Sequence, residues 1–138
     1  MNRLARLARY AWASPCTLAG LLLAAPTFAF GARAQVFDGV LEIADPTYDA
    51  DSGRRWAPFR AITFGHVVVA GNEADLALLR AHEHAHVRQY ERWGIVFFAA
   101  YPLASLWQLL RGGRPYLDNW FEVQARAEAA KRVNQCAA

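Results

Sequence analysis

Three of the four histidines in this chain fall within five positions, in Ala81-His82-Glu83-His84-Ala85-His86-Val87-Arg88-Gln89-Tyr90. An α-helix advances about 100° per residue, so His82 and His86 stand one turn apart on one face and His84 points to the other side. Glu83 lies about 60° round the axis from His86. Only a helix makes the two imidazoles act together, so the rest of the chain must bring a partner surface to that helix face. Two neutral imidazoles with a carboxylate beside them fit a metal site in which the carboxylate takes a proton from water. His82 and His86 are the expected ligands and Glu83 the expected base. A His-rich solvated helix face, or an adventitious metal binder, carries the same letters.

A catalytic zinc site takes three protein ligands and keeps one position open. The third ligand is expected from the last helix, residues 120–133, in Trp120-Phe121-Glu122-Val123-Gln124-Ala125. Glu122 is the choice, with the small Ala125 at i+3 allowing close helix approach. Asp118 and Glu128 are its rivals. Asp118 suits a helix cap, as does Asn119, and Glu128 lies near Lys131 and Arg132. Glu122 also has a plain role, as an acid offsetting the helix dipole.

Composition says where such a site would work. The 138 residues suit one domain. The apolar fraction of 55% exceeds the 45–50% usual for soluble domains. The net charge of +3 is uneven: Arg3, Arg6, Arg9 and Arg33 stand in a head without acids, and the remainder is close to neutral. That pattern suits a lipid bilayer as partner and gives no nucleic-acid surface. Residues 10–32 carry no charge, long enough to span a bilayer, though Ser14, Pro15, Thr17 and Pro26 weaken the run. Three readings compete: an uncleaved anchor, a signal peptide cut after Ala32-Arg33-Ala34, and a helical hairpin packed on the domain or lying in the interface. Residues 1–34 are expected as the anchor or signal segment and 35–138 as the domain. The first two readings put the domain outside the cytoplasm, at the inner membrane. Cys16 and Cys136 have no metal-ligand spacing and read as free thiols.

Between these segments, residues 36–43 read as a strand with Gly39 as a possible bulge. Residues 44–53 read as a polar turn region, and 54–60 as the edge of a second strand interrupted by Pro58. Residues 61–70, dense in β-branched side chains, give the clearest strand. Asn72 caps a helix over 73–93 that Gly94 stops. Residues 95–110 are apolar but short for a span, so a buried or interfacial helix is expected. The expected fold is α+β: a small antiparallel sheet packed on the metal-binding helix, two C-terminal helices, and an N-terminal apolar membrane segment.

The run 82–94, His-Glu-x-x-His-Val-Arg-Gln-Tyr-Glu-Arg-Trp-Gly, followed by Tyr101 and by Tyr116-x-x-Asn119-x-Phe121-Glu122, resembles the gluzincin branch of the zincin metallopeptidases. It is more similar still to a group of small bacterial proteins with an apolar N-terminus, and that likeness extends upstream through Thr63-Phe64-Gly65-His66-Val67-Val68 and Gly39-Val40-Leu41-Glu42. The gluzincin resemblance implies a zinc ion (Zn2+) on His82, His86 and Glu122, Glu83 as general base, and a peptide or protein substrate. The chain lacks the larger sheet and second lobe of the full peptidases.

Other groups have two readings each. His66 is either a substrate-edge or oxyanion donor, or a half-buried strand histidine bonded to a neighbour. Tyr90, Tyr101 and Tyr116 are oxyanion donors or aromatic packing. Gln89 or Arg88 could orient a ligand, though Arg88 points away from the ligand face and suits an ion pair. Trp93, Phe97, Phe98, Tyr101 and Trp107 form a core or a membrane-facing belt. The function expected is a membrane-associated zinc-dependent peptidase or related amide hydrolase. The alternative is a membrane-associated metal-binding or scaffold protein without chemistry.

Overall fold

The computed structural model describes residues 3–45 and 59–136. They form an α+β architecture in which a four-stranded sheet is covered by a helix on each face. The turn region expected at 44–53 and the strand edge at 54–60 lie largely outside the described residues.

The N-terminal apolar run is helix α1 (Arg3–Ala24), continued by a 3₁₀ segment (Ala25–Phe30). Strand β1 (Arg33–Phe37) turns tightly into β2 (Val40–Ala44). The expected single strand over 36–43 is therefore a hairpin. Asp38 and Gly39 both take positive φ, 50° and 77°, the conformation that a two-residue hairpin turn requires and Asp-Gly supplies. The boundary expected at residue 34 falls inside β1, where Arg33 pairs with Ala44 and Ala34 with Ile43.

Residues 61–70 are likewise two strands, β3 (Ala61–Phe64) and β4 (Val67–Ala70). Gly65 reverses the chain at φ +58°. A Cβ there would collide with the backbone of Thr17 on α1, so the turn needs glycine twice over. The strand order is β1-β2-β4-β3. β1/β2 and β3/β4 pair antiparallel, but β2 and β4 run parallel. The sheet is thus mixed where an antiparallel one was expected. β3 itself runs the chain back, since Ala44 at the end of β2 and Ala61 at the start of β3 both lie level with Ala70.

β4 is buried at every position. Alternate side chains reach opposite faces of a strand, and here both faces are covered. Val68 and Ala70 pack with Val40, Ala44, Leu76 and Val87 beneath helix α2 (Glu73–Trp93). Val67 and Val69 pack with Ile43 and with Ala24 of α1. A strand buried on both faces reads as an unbroken apolar run, which hides its alternation in sequence.

α2 starts where expected: Asn72 Oδ1 accepts from the Asp75 N–H at 2.6 Å, and Gly94 caps the other end. A short 3₁₀ turn leads to α3 (Phe97–Leu110), in which Phe97 alone of the described side chains is buried. α4 (Trp120–Cys136) begins at Asn119, whose Oδ1 accepts from the Phe121 N–H at 2.9 Å. Arg3–Phe30 and Glu73–Leu110 are both long and apolar enough to cross a membrane.

Candidate metal centre

α2 and α4 cross so that Glu122, in the first turn of α4, faces the histidine pair. His82 Nε2 and His86 Nε2 lie 3.1 Å apart. Glu122 Oε2 is 3.3 Å from His82 Nε2, and Glu122 Oε1 is 3.2 Å from His86 Nε2. One ligand atom from each residue can be chosen so that all lie within 4.8 Å of one another, and the group could hold a metal ion. Ala125, fully buried one turn beyond Glu122, provides the close approach of the helices.

The surrounding bonds decide how the donors point. Gln89 Nε2 donates to the Phe121 carbonyl and to Gln124 Oε1, both at 2.9 Å. With its amide nitrogen so engaged, Gln89 Oε1 accepts from His86 Nδ1 at 2.8 Å. His86 Nδ1 is therefore fixed as a donor, which leaves Nε2 as the nitrogen that faces Glu122. Tyr101 Oη donates to Glu122 Oε1 at 2.7 Å. Glu122 Oε2 is buried, with His82 Nε2 at 3.3 Å and the Arg126 guanidinium at 3.7 Å. Burial favours the neutral carboxyl, but the nearby His82, His86 and Tyr101 donors together outweigh it and hold Glu122 well below the usual carboxylate range. Burial pulls His86 down, and Glu122 more than offsets it, so its pKa is raised. Two imidazole nitrogens and an ionised carboxylate could together hold a metal ion.

The group opens on a cavity of about 360 Å³. Residues 61–64 of β3 form one wall, with His82, Glu83, His86 and Tyr90 of α2 beside them. Phe97, Phe98, Tyr101 and Pro102 of α3 supply an apolar wall, and Tyr116 stands near Glu122. Glu83 is buried on the cavity wall, where Thr63 Oγ1 donates to its Oε2 at 2.7 Å. Burial first, and then Glu122, push the Tyr116 phenol up to about 12.

Of the expected site residues, His82, His86, Glu122, Glu83, Tyr90 and Tyr116 meet at this cavity. Tyr90 is buried among Phe97, Phe98 and the inner face of α1, an aromatic packing role. His66 does not line the cavity. It sits in the β3–β4 turn, stacked on Tyr10 at 4.1 Å, with Nε2 3.2 Å from Glu91 Oε1. His66 is thus the neighbour-bonded histidine of the two readings. Asp118 pairs with Arg114 at 2.8 Å and Glu128 with Arg88 at 3.0 Å, which removes both rivals to Glu122.

His84 points away from the metal-site pair, as helical spacing required, and has a partner the sequence does not announce. Its Nε2 is 2.9 Å from Glu42 Oε1 on β2. Glu42, fully buried, also accepts two hydrogen bonds from Arg80 and one from Gln35. Burial, its largest influence, lowers the His84 pKa, and Glu42 offsets part of that. This cluster locks α2 to the sheet. Thr63 is the other residue that sequence reading missed, and its place on a strand at the HExxH helix is the signal that could have found it.

No family model matches the chain, and neither a curated protein nor a solved structure matches it.

Proposed function

We propose that this chain is a zinc-dependent amide hydrolase of the metallopeptidase kind, working at a membrane. The observation that carries the reading is the convergence of His82 Nε2, His86 Nε2 and the buried Glu122 carboxylate beside Glu83 at one cavity. His82, His86 and Glu122 would hold the ion. When bound, zinc supplies Lewis acidity, polarising a carbonyl and bringing the pKa of a water to about 7.

The chain's own residues do the remaining work. Glu83 is anchored through Oε2 by Thr63, which leaves Oε1 to take a proton from water and pass it to the leaving nitrogen. Gln89 holds His86 in the tautomer that ligation needs. Tyr101 holds Glu122. Tyr116 keeps its proton at neutral pH and stands on the cavity wall, so it can donate to the oxyanion formed on the substrate. The apolar walls exclude water and accept an apolar group beside the scissile amide.

The ion pair of Arg126 with Glu122 Oε2, a positive charge beside the ligand group, favours a second reading, a metal-binding scaffold without chemistry. Metal analysis of wild type, Glu122→Ala and Glu83→Gln, with hydrolysis of a quenched peptide library, separates the two. Hydrolysis is expected with about one zinc per chain in wild type, little zinc in Glu122→Ala, and zinc without hydrolysis in Glu83→Gln. Zinc in wild type with no hydrolysis of any peptide supports the scaffold. Full activity in Glu83→Gln overturns the mechanism.

A further inference from the structure

Helix α1 is built inside out. Ala13, Cys16, Gly20 and Ala24 face the body and are buried, whereas Leu18, Leu21, Leu22 and Leu23 face outward, 42–69% exposed. A helix on a water-soluble core turns its large apolar residues inward. Small residues at the contact with large apolar residues outside is the arrangement of helices in lipid. α3 repeats it independently: Leu103, Leu106, Trp107, Leu109 and Leu110 are all 48–74% exposed. α1 reaches the α2–α3 bend, where the half-exposed Trp12 indole lies against Gly94 beside exposed Trp93, Ile95 and Val96.

Charge follows the same division. All 12 acidic residues lie outside 1–37 and 92–117, while those two stretches hold Arg3, Arg6, Arg9, Arg33, Arg92, Arg111 and Arg114. Arg9 is paired with Glu91 and Arg114 with Asp118, which leaves Arg3, Arg6, Arg33, Arg92 and Arg111 as an excess of positive charge that complements an anionic bilayer.

The packing of α1 says how that bilayer is met. The inner face of α1 touches the hairpin turn through Tyr10 and Gly39, the β3–β4 turn through Thr17 and His66, and strand β4 through Gly20 and Val67. A helix that crossed the membrane would draw the sheet in with it. α3, 14 residues or about 21 Å long, falls short of the roughly 30 Å hydrocarbon core. Both helices suit lying in the interface, outer faces down.

The cavity belongs to this face. Phe98 and Pro102 line it, and Leu106 and Leu109 continue the same stripe of α3, the four lying within about 80° of one another round the helix. All four are exposed. The apolar wall of the cavity therefore runs without a polar break into the surface that lipid would cover.

We infer that α1 and α3 form one monotopic docking face for an anionic bilayer, and that the cavity beside His82, His86 and Glu122 opens onto it, so that its substrate carries an apolar group drawn from the lipid. The docking face stands on its own observations; the word substrate rests on the proposed function.

Spin labels on the full chain test this. In a Cys136→Ser background, with Cys16 buried, single labels are placed by Leu22→Cys, Leu106→Cys, Phe98→Cys and Leu78→Cys, the last on the exposed side of α2. Vesicles of phosphatidylcholine and phosphatidylglycerol are added, and collision with oxygen and with a water-soluble nickel chelate is measured. Labels at 22, 106 and 98 are expected to gain oxygen contact and lose nickel contact, with 78 unchanged, and wild-type binding to fall about tenfold or more in pure phosphatidylcholine. No vesicle binding, or a label at 78 entering lipid in place of 22 and 106, overturns the docking face. Labels at 22 and 106 in lipid with 98 still in water overturn the cavity mouth. Zinc content, measured on the same samples, reports separately on the metal centre, so its failure is distinguishable from failure of the docking face.

Discussion

Gln89 Oε1 accepts the Nδ1 proton of His86 at 2.8 Å, and Gln89 can do so in only one amide orientation because its nitrogen is already donating to Phe121 and Gln124. The bond lies within α2, the two that Gln89 donates reach into α4, and together they settle which imidazole nitrogen meets Glu122. Partners of this kind are worth about 10–100-fold in metal affinity. Gln89→Met, which keeps the length of the side chain but removes the acceptor for His86 Nδ1, is expected to bind zinc more weakly by a factor in that range. Competition against a chelator measures it, with far-ultraviolet circular dichroism as the fold control. Unchanged affinity would mean that Gln89 only packs.

Thr63 tests the base. Thr63→Val keeps the shape of the side chain and removes the hydroxyl that holds Glu83 Oε2. Zinc binding should be unaffected, since Thr63 contacts none of the three ligands by hydrogen bond among the described residues, while kcat on a hydrolysed peptide falls about 10–100-fold. Thr63→Ser should restore most of it. Loss of zinc together with rate would place Thr63 in the metal site instead.

The Glu42 cluster tests the platform. Glu42→Leu leaves Arg80 and His84 without their shared carboxylate. Removing one partner of a buried pair costs about 3–5 kcal/mol, and somewhat less here because Arg80 is partly exposed and can reach water. Urea denaturation should report a loss of about 2–4 kcal/mol. A change under 1 kcal/mol would show that α2 is held by apolar packing alone.

α1 is expected to be part of the folded unit. It covers the sheet face formed by Ile43, Val67 and Val69. Deleting residues 1–34 would uncover that face and remove Arg33 and Ala34 from β1. The truncated chain should show no cooperative thermal transition. A milder probe is Gly20→Val: the Cβ alone would lie 2.9 Å from the Val67 Cβ and 3.0 Å from the Phe64 carbonyl. Overpacking of this sort costs about 1–3 kcal/mol. A truncated chain that melts like wild type would make α1 a separate segment.

Cys16 reports the same contact chemically. It is fully buried and its thiol is pushed up by burial, so the reactive thiolate is scarce and shielded. With Cys136→Ser, alkylation of the native protein should run about 100-fold slower or more than in denaturant, the factor for a local opening cost near 3 kcal/mol. Equal rates would mean that α1 does not stay docked.

Much of the site was legible before any fold. Helical spacing alone pairs His82 with His86, turns His84 away and sets Glu83 beside the pair. Glu122 could be preferred but not secured, because its distance from His82 depends on how α4 crosses α2. The strands were harder. Asp38-Gly39 is a strong hairpin signal, yet residues 36–43 alternate well enough to pass for one strand with a bulge. Residues 61–70 pass for one strand because β4 is buried on both faces and the turn at Gly65 has only a single glycine to mark it. His66 gained weight from a strand position it does not hold.

Local geometry was written in the sequence: a helix over Glu73–Trp93 capped by Asn72 and Gly94, two imidazoles on one face of it, an apolar N-terminal segment led by arginines, and a last helix capped at Asn119. Each follows from bonds and periodicity within a few residues. Tertiary structure decided what those pieces face. That β4 lies parallel to β2, that Glu42 takes His84, that Thr63 meets Glu83, and that α1 turns its small side to the sheet are long-range pairings. Such pairings are chosen by which buried surfaces and polar groups satisfy one another at once, a condition on the whole chain that no short stretch of it contains.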